Sequence, residues 1–430
     1  MADNKNEIKD YLKWAMDVQK DENPIRVAVV GNGIIGKRIT DAVQVQPDIK
    51  LVGIADVDTS KFMSIANERG YNLFAGITFD KKGNRVDTKQ EMEAVGLKIS
   101  GNIEDLIAQS DVVVDATPVG LPEKNIPLYL KTNPNIKIIV EGGEKHDLWQ
   151  KVGLAKKHEE NRSFSTFANY YENEKFKNFG EKYTRVVSCN TTALCRILST
   201  LNDVYTINQY FAVLVRRGTD PPTAGKEGPS NAVVPVLGGS HHYEDVETCL
   251  PQLIGKGYSV AVAIGHTLSH VHTLELELEK DYSKEEIVEL FRKTPRMRVV
   301  KGKADGVPDT AKVAELYRDM GRLRADHPEV TIWEEGIQIK GKKLYILFDV
   351  HMESIPIPEN IDAIRALKGT ISDGWESARL TDIAMNRYLP EFAKAGNLYV
   401  PVKPRIESYS IPILLDQIQS PEGGDKAVKR

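Results

Sequence analysis

The chain has 430 residues, of which 41% are hydrophobic and 27% charged, and its formal net charge at pH 7 is -4. This composition is typical of a soluble globular protein with two or three domains, and the charge gives no electrostatic case for binding nucleic acid or an anionic membrane. The first 24 residues lack a signal-peptide core, no run has transmembrane length, and three unevenly spaced cysteines exclude a disulfide framework. We therefore expect a cytoplasmic protein.

Strand and helix patterns alternate along the first half of the chain. A short amphipathic helix is predicted at 7–19, before a series of apolar runs of strand length, "IRVAVV", "IKLVGIAD", "DVVVDATP" and "IKIIVEGG". Helical patterns lie between them, including "IIGKRITDAVQ", "SKFMSIANERG" and "NIEDLIAQS", in which Asn102 is the expected cap. The segment "ITFDKKGNRVDTKQEMEA" interrupts the alternation and predicts a surface hairpin or loop. The pattern indicates βαβ units and a parallel sheet.

The second half of the chain has a different pattern. "YFAVLVRR" precedes a Pro/Gly-rich loop, and "SHVHTLELELEK" and "KKLYILFDVHMES" then alternate apolar and polar residues. That period predicts a mixed or antiparallel sheet with one covered face, with helices at "SKEEIVELFRKT" and "DTAKVAELYRDMG". The tail, 370–430, holds a helical pattern and then a Pro-rich end. The expected fold class is therefore α/β followed by α+β.

A glycine motif lies between the first predicted strand and the first helix. Gly31, Gly33 and Gly36 have the G-x-G-x-x-G spacing of dinucleotide-binding loops. The first glycine permits a tight turn, the second allows close approach of a pyrophosphate, and the third allows close helix–strand packing. The amides of Ile34 and Ile35 would face the anion at the helix N-terminus. The alternative is a glycine-rich turn that binds no ligand.

Asp56 ends the second predicted strand, where a carboxylate can accept hydrogen bonds from the adenosine ribose and would repel a 2′-phosphate. We therefore predict NAD as the cofactor and keep NADP as the alternative. Asp is also common in turns, so Asp56 could simply begin the turn "DVDTS". The segments "ATP" and "EGGEK" follow later strands, so both should face the cofactor.

Cys189 stands where a short strand gives way to a helical pattern, in "RVVSCNTTALCRIL". Asn190 and the two threonines after it are candidate capping residues. The positive end of the helix dipole should lower the pKa of this thiol, which would make it a nucleophile. Cys195 and Cys249 are interpreted as packed, inert thiols. Cys189 could also be a buried small apolar residue, but beside a nucleotide site it favours aldehyde oxidation through a thioester.

Histidines and arginines supply further candidates for this chemistry. His270 and His272 share the apolar face of one predicted strand. One of them could be a catalytic base, or they could be core residues whose hydrogen bonds are satisfied within the protein. His241 and His242 lie in a glycine-rich loop, either against the substrate or in solvent. Arg216 and Arg217 end a strand, so only one should enter the site, where it could hold a phosphate or form a salt bridge. No residue cluster has defensible metal-ligand spacing.

Together these motifs resemble archaeal-type (class II) glyceraldehyde-3-phosphate dehydrogenases over residues 25–366. The segments that carry the resemblance occur in family order: "GNGIIGKRITDAV", "DVVVDATPVG", "EGGEKHD", "RVVSCNTTALCR", "VRRGTDPP", "GPSNAVVP", "SHHYEDV", "LSHVHTLELEL" and "PENIDAIRA". The resemblance implies a Rossmann domain at 25–188, completed by C-terminal helices at about 358–430, a catalytic domain at 189–357, and a homotetramer. Residues 1–24 form an N-terminal extension without a counterpart in the family.

The resemblance also implies roles for individual residues. Cys189 matches the nucleophile and His270 the proposed base, although His272 remains an alternative for the base. The substrate-binding residues it implies, with Thr191 beside them, are Ser188, Asn190, His241 and His242. The cofactor contacts it implies include Ile34, Ile35, Gly143 and Arg217. The chain departs from the family at Met352, in "DVHMES", where the family usually has a glutamine near the nicotinamide.

The expected activity is phosphorylating oxidation of D-glyceraldehyde 3-phosphate, with NAD(P)+ and inorganic phosphate as the other substrates. Two alternatives remain at this stage. One is another semialdehyde or acyl-phosphate dehydrogenase, such as an enzyme that acts on aspartate semialdehyde. The other is an inactive nucleotide-binding scaffold, which the departure at Met352 and the C-terminal tail keep open.

Overall fold

The structure is a computed structural model, and it describes residues 23–385 except 80–81, 83–84, 142, 158–161, 171–178 and 219–231. The helix predicted at 7–19 and the part of the tail beyond residue 385 lie outside the described residues.

The described strands and helices are numbered here in chain order. The strands are β1 (Ile25–Val30), β2 (Ile49–Asp56), β3 (Leu73–Ala75), β4 (Ile77–Phe79), β5 (Arg85–Asp87), β6 (Ile99–Asn102), β7 (Val112–Asp115), β8 (Lys137–Val140), β9 (Ser163–Phe164), β10 (Tyr183–Val186), β11 (Ile207–Arg217), β12 (Val234–Pro235), β13 (Gly257–Ile264), β14 (His270–Leu278), β15 (Met297–Val300), β16 (Val330–Trp333), β17 (Gln338–Lys340) and β18 (Lys343–Val350). The α-helices are α1 (Ile34–Gln44), α2 (Lys61–Glu68), α3 (Lys89–Ala94), α4 (Ile103–Ala108), α5 (Pro122–Thr132), α6 (Leu148–Lys151), α7 (Thr166–Asn169), α8 (Cys189–Tyr205), α9 (His242–Cys249), α10 (Lys284–Lys293), α11 (Thr310–Asp319), α12 (Ile357–Lys368) and α13 (Gly374–Ala384).

The first sheet has eight strands in the order β6-β3-β2-β1-β7-β8-β10-β9, and every neighbouring pair is parallel. The chain builds outward from β1 in one direction through β2 and β3, and in the other through β7 and β8. Ligands in open parallel sheets bind where this order reverses, at the carboxyl ends of the strands. The fold therefore places a binding crevice at the ends of β1 and β7.

Helices cover both faces of the first sheet. On one face, α1 and α12 pack together over apolar residues of β1, β7 and β8, in a core that includes Ile39, Val114, Ile361 and Leu367. On the other face, α4 and α5 pack over a core that includes Val113, Leu106 and Tyr129. Burial on both faces explains why these strands are continuous apolar runs. The helices at the C-terminal end of the described chain thus return to the first sheet.

The second sheet is mixed, with the order β12-β13-β11-β14-β18-β16-β15, and β17 pairs with β18. The β11–β13 and β15–β16 pairs are parallel, and the other pairs are antiparallel. Its inner face packs against α8, α9 and α10 around Leu194, Leu198, Leu274 and Ile346. The other face of β11, β13 and β14 carries half-buried or exposed side chains, which we call the open face; its members include Phe211, Val213, Tyr258, Val260 and Val271.

The expected fold class is confirmed: a parallel Rossmann-like sheet precedes a mixed sheet. The interrupting segment forms the antiparallel β4–β5 hairpin followed by α3, and Asn102 caps α4 as predicted. The strands β13, β15 and β16 were not predicted. The last two are four-residue strands buried throughout, so they lack the alternation that reveals a strand.

Candidate active site

The glycine loop at the end of β1 is shaped by close backbone contacts. Gly31 has φ +91°, and a Cβ there would lie 2.9 Å from the carbonyl carbon and oxygen of Ala116. A Cβ on Gly36 would lie 1.7 Å from the Gly31 carbonyl oxygen, so only glycine allows α1 to start this close to the turn. Beside Gly33, in contrast, nothing lies within 4 Å of the Cβ position. The loop therefore leaves space next to the N-terminus of α1, where Ile34 and Ile35 begin the helix, and this cradle fits a pyrophosphate.

Asp56 ends β2 beside the glycine loop. The backbone N–H of Asn32 donates to Oδ2 of Asp56, and the N–H groups of Val57 and Asp58 donate to Oδ1. These donors hold the carboxylate at the carboxyl edge of the sheet, where an adenosine ribose would lie. Gly143 lies in the loop after β8, and a Cβ there would lie 2.9 Å from Cγ2 of Val119. The end of β2 and the loop after β8 therefore both lie at the carboxyl edge of the first sheet.

Cys189 is the first helical residue of α8, and Ser188 is the N-cap. The Ser188 hydroxyl accepts a 3.4 Å hydrogen bond from the Thr191 backbone N–H and lies 3.1 Å from Oγ1 of Thr191. The capping residue is thus Ser188 rather than Asn190 or the threonines. Because Ser188 supplies the cap, the Asn190 side chain is free to bond elsewhere.

The sulfur of Cys189 lies 3.5 Å from Nε2 of His270, which is the first residue of β14. Burial raises the pKa of the Cys189 thiol to about 12, and the positive charge of Arg217 only partly opposes this. The prediction of a lowered pKa is therefore wrong for the protein without ligands. The hydrogen bond from the Asn190 backbone N–H at the start of α8 also lowers the pKa of the thiol, but the effect of burial is larger.

His272 and His242 meet on the Asn190 side chain. Oδ1 of Asn190 lies 2.8 Å from Nε2 of His272, and Nδ2 of Asn190 lies 3.0 Å from Nε2 of His242. Nδ1 of His242 contacts the Ser240 hydroxyl. Burial lowers the pKa of His272 to about 3 and that of His242 well below its usual value, so both rings are neutral. This chain of hydrogen bonds fixes the Asn190 side chain next to Cys189.

The two adjacent histidines that precede and begin α9 have different environments. His242 is only 2% exposed, whereas the His241 side chain is 62% exposed. Their rings stack with centroids 4.4 Å apart, and Nε2 of His241 lies 3.6 Å from Asp245. Of this pair, His241 presents its ring to solvent, whereas His242 is buried against the Asn190 side chain.

Arg217 ends β11 and is held by several partners. Its guanidinium forms an ion pair with Glu353 at 2.9 Å, donates to the carbonyl oxygen of Thr267 at 3.1 Å, and lies 3.1 Å from the sulfur of Met352. Glu353 also lies 3.5 Å from Arg38 on α1. Met352 therefore sits beside Arg217, and the Arg38–Glu353–Arg217 chain connects the nucleotide-binding helix to the residues around Cys189.

Sequence reasoning assigned no definite role to Arg216. Its Nε atom is buried and has no hydrogen-bond partner within the described part of the chain. Burial is the main cause of the lowered pKa values of three histidines, and the charge of Arg216 lowers each of them further; they are His242, His270 and His272. The charge of Arg216 also acts on the Cys189 thiol, so its guanidinium lies near Cys189. The strand position alone could not show which arginine is already paired.

The predicted site residues therefore form two groups at neighbouring edges. The nucleotide group surrounds the glycine loop and Asp56, and the cysteine group surrounds α8, the start of β14 and the ends of β11 and β18; Arg38 and Glu353 connect them. Among the described residues no three His, Cys, Asp or Glu side chains cluster as metal ligands. No helix in the described ranges has the length and apolar character needed to cross a membrane.

Two family models match the chain. The C-terminal domain of glyceraldehyde 3-phosphate dehydrogenase matches residues 188–315, and the N-terminus of dihydrodipicolinate reductase matches residues 25–143. The first match contains α8 with Cys189, β11 and β14. The second contains the glycine loop and Asp56.

Several relatives of the chain are archaeal proteins named glyceraldehyde-3-phosphate dehydrogenase. The one from Methanocaldococcus jannaschii is 38% identical over 364 residues, 84% of this chain and 99% of that protein. Relatives from Methanosarcina barkeri and Sulfurisphaera tokodaii are 38% and 36% identical, over 84% and 83% of this chain and 98% and 96% of those proteins. On this similarity, together with the geometry around Cys189, the chain belongs to the glyceraldehyde-3-phosphate dehydrogenase family.

Proposed function

We propose that the protein is a phosphorylating glyceraldehyde-3-phosphate dehydrogenase. It would oxidise D-glyceraldehyde 3-phosphate with NAD(P)+ and phosphate to 1,3-bisphosphoglycerate, in glycolysis or, in the reverse direction, in gluconeogenesis. The observation that carries the proposal is the Cys189–His270 contact of 3.5 Å at the start of α8, next to a dinucleotide cradle. A sulfur nucleophile there can form a thiohemiacetal with the aldehyde and then retain the acyl group as a thioester.

The direct test is steady-state kinetics with and without phosphate, in parallel with a Cys189→Ser variant. We expect phosphate-dependent oxidation of glyceraldehyde 3-phosphate in the wild type. In the variant we expect kcat to fall by on the order of 10⁴-fold or more, while cofactor affinity measured by calorimetry is unchanged. Cys195→Ala, which alters a buried thiol inside α8, is the matched control and should keep its activity. Substantial turnover by Cys189→Ser would refute the assignment.

The residues of the glycine loop fit a nicotinamide dinucleotide, because the open space beside Gly33 adjoins the N-terminus of α1. Backbone N–H groups at a helix N-terminus bind phosphate groups such as the pyrophosphate of this cofactor. When bound, this cofactor supplies the hydride acceptor. The chain contributes Gly31, Gly33, Ile34, Ile35 and Gly36 around the pyrophosphate. The contacts nearer the nicotinamide would come from Gly143, Arg217 and Met352.

Asp56 supports NAD as the preferred cofactor, because its carboxylate would repel a 2′-phosphate. Asp56→Ser should raise kcat/KM for NADP relative to kcat/KM for NAD roughly 10- to 100-fold. This change corresponds to about 1.4–2.7 kcal/mol of repulsion between the carboxylate and the 2′-phosphate, which the substitution removes. Asp87→Ser, which removes a carboxylate from the β4–β5 hairpin, controls for net charge and should leave the ratio unchanged. A ratio that does not respond to Asp56→Ser would contradict the role.

The substrate groups would be held by Ser188, Asn190, Thr191, His241 and His242, with His242 acting through Asn190. Arg216 is the additional candidate that the structure provides. A phosphate carries negative charge and acceptor oxygens, which match the buried Nε of Arg216, an atom without a hydrogen-bond partner among the residues that the structure describes. We infer that Arg216 holds either the phosphate of the aldehyde or the inorganic phosphate.

The remaining proposals concern the domain boundaries, the oligomeric state and the cellular compartment of the protein. We infer that residues 25–188 with the helices from about 358 onward form the nucleotide domain, and that residues 189–357 form the catalytic domain. The open face of the second sheet supports association into a homotetramer. The cysteines Cys189, Cys195 and Cys249 are all free thiols, which supports a reducing compartment such as the cytoplasm.

A further inference from the structure

A buried carboxylate on α9 faces three basic side chains. Asp245 is buried, and Nη2 of Arg185 on β10 donates to its Oδ1 at 2.8 Å. Nδ1 of His146 lies 3.9 Å from the same oxygen, and Nε2 of His241 lies 3.6 Å from Oδ2 of Asp245. Arg185 therefore balances the charge of the carboxylate inside the protein, and two imidazole rings lie within ion-pair distance of it.

The two histidines reach Asp245 from different sheets. His146 lies between β8 of the first sheet and α6, and His241 directly precedes α9, which packs against the second sheet. The side chains of His146 and His241 are 29% and 62% exposed, whereas that of Asp245 is 3% exposed. Because both rings lie against one carboxyl group, a single ligand on the solvent side can contact them both, and the carboxylate itself is shielded from that ligand.

The charges of this cluster favour a phosphate group as the ligand. Arg185 and Asp245 cancel each other, so each histidine adds one positive charge when it is protonated, and a phosphate dianion supplies the opposite charge and the acceptor oxygens. A histidine cation donates from both ring nitrogens, so one ring can contact a carboxylate and a phosphate oxygen at the same time. Paired histidines can also bind a metal ion, but within the described ranges no three His, Cys, Asp or Glu side chains are arranged as metal ligands.

A short row of side chains leads from the exposed rings to Cys189. The ring of His241 stacks on that of His242 with centroids 4.4 Å apart, and Nε2 of His242 lies 3.0 Å from the side chain of Asn190, the residue after Cys189. A phosphorylated aldehyde has its phosphate and its carbonyl carbon at opposite ends. That shape matches a phosphate contact set back from the sulfur.

Buried contacts hold the loop of His146 in place. Nη1 of Arg185 donates to the carbonyl oxygen of Glu144 at 2.8 Å, and Nη2 of Arg185 donates to the Ser163 hydroxyl at 2.9 Å. The side chain of Glu144 accepts a hydrogen bond from the backbone N–H of Gly120. The loop is therefore tied to β10 and to the loop after β7, which restrains the ring of His146 relative to Asp245.

We propose that His146 and His241 together bind a phosphate group of a substrate, and that Asp245 is the positioning residue that holds the two rings. The proposal deepens the function proposed above and rests on it for the identity of the substrate. The proposed reaction uses two phosphate groups, one on the aldehyde and one as the inorganic ion, and Arg216 can hold only one of them. The histidine pair supplies the second position, and the two phosphates share the chemistry that the pair recognises.

The kinetic test uses His146→Gln and His241→Gln, with D-glyceraldehyde 3-phosphate, unphosphorylated D-glyceraldehyde and inorganic phosphate varied separately. Each substitution removes a charge-assisted hydrogen bond to a phosphate, so we expect one KM to rise roughly 10-fold or more in both variants. A higher KM for the phosphorylated aldehyde, with that for glyceraldehyde unchanged, assigns the pair to the phosphate of the aldehyde. A higher KM for inorganic phosphate with either aldehyde assigns the pair to the inorganic ion.

The control and the contrary results are equally specific. Lys151→Gln removes a positive charge from α6, where the ammonium pairs with Asp147 at 3.0 Å, and should leave every KM unchanged. If the two histidine substitutions raise different KM values, the rings do not share one phosphate. If neither KM rises, or if the KM for glyceraldehyde rises as much as that for the phosphorylated aldehyde, the histidines do not bind phosphate.

The positioning role of Asp245 has its own readout. Asp245→Asn should raise the same KM as the histidine substitutions, but it should add nothing further in the His146→Gln/His241→Gln background. If Asp245→Asn does not fold, as judged by circular dichroism, Asp245→Glu keeps a charge opposite Arg185 while it shifts the carboxylate, and the same comparison applies. A further increase of equal size in the double-histidine background would contradict this role.

A binding measurement does not depend on turnover. Titration calorimetry of the full-length protein uses glycerol 3-phosphate, inorganic phosphate and glycerol as separate probes. We expect at least one of the two phosphate compounds to bind the wild type and to bind each histidine variant roughly 10-fold more weakly, whereas glycerol does not distinguish the proteins. If the wild type shows this binding but oxidises no aldehyde, the proposed function fails and the histidine site stands. A wild type that binds neither phosphate compound, or affinities that both substitutions leave unchanged, would refute the site.

Discussion

Arg216 and Arg217 are adjacent, yet their side chains have different partners. Arg217 is buried against Glu353, whereas the Nε atom of Arg216 has no partner within the described residues. The sequence predicted that one arginine of this pair would enter the site, but identifying the one that is already paired required the position of Glu353, which is distant in the chain. The sequence predicted the buried face of β14 that His270 and His272 share, and the structure places Cys189 3.5 Å from His270. The hydrogen-bond partners of the histidine rings could not be predicted, because they depend on backbone groups from other strands.

Arg216→Gln should weaken phosphate binding because it removes a charge-assisted hydrogen bond worth about 1.5–3 kcal/mol. The expected result is a KM roughly 10- to 100-fold higher for inorganic phosphate or for the aldehyde, measured with each substrate varied separately. Arg318→Gln, an exposed arginine on α11, is the matched control and should leave both KM values unchanged. If Arg216→Gln changes neither KM, the arginine does not hold a phosphate.

Among the elements, α8 connects the two sheets through buried ion pairs. Arg196 on α8 forms an ion pair with Glu359 on α12 at 2.8 Å, and both side chains are 0% exposed. Arg296 lies 3.5 Å from the same carboxylate, and the Thr166 N–H donates to it. The sequence predicted α8 and α12 from their apolar spacing, but the partners of their buried charges come from distant segments. The apolar periodicity of either helix therefore cannot predict which residues form ion pairs with its buried charges.

Glu359→Gln should destabilise the protein, because it leaves the buried Arg196 with a neutral partner, whereas Arg296 keeps its ion pairs with Asp362 and Asp382. Removing one member of a buried ion pair costs about 3–5 kcal/mol, so we expect a loss of that size in the free energy of unfolding measured with urea. Glu289→Gln breaks the exposed Lys293–Glu289 pair on α10 and is the matched control, with an expected change below about 1 kcal/mol. Equal effects of the two substitutions would contradict the importance of the buried network.

At the scale of the whole molecule, the open face of the second sheet carries exposed or half-buried apolar side chains in the described chain. Val213 on β11 lies between Val260 on β13 and Thr273 on β14, and the Phe211 and Tyr258 rings stack beside them with centroids 6.3 Å apart. An exposed apolar sheet face of this kind is typical of an interface between subunits. The alternation in the sequence predicted a single covered face, and it could not predict what contacts the other.

Val213→Asp should disrupt association, because it places a charge in the centre of the open face. We expect light scattering to show a smaller particle than the wild type at the same concentration. Val95→Asp, at an exposed position between α3 and β6, changes the charge equally and should leave the particle size unaltered. A wild-type monomer, or an assembly that is unaffected by Val213→Asp, would exclude this face as the interface.

The return of α12 to the first sheet also affects how the protein folds during synthesis. The core beneath β1 includes Ile361 and Leu367, which leave the ribosome only after the entire second sheet has been translated. Until then, one side of the nucleotide-binding half exposes apolar strands to solvent. A nascent chain arrested after Val350 should therefore be a target for chaperones, and the finished protein should acquire its nucleotide site and its nucleophile together.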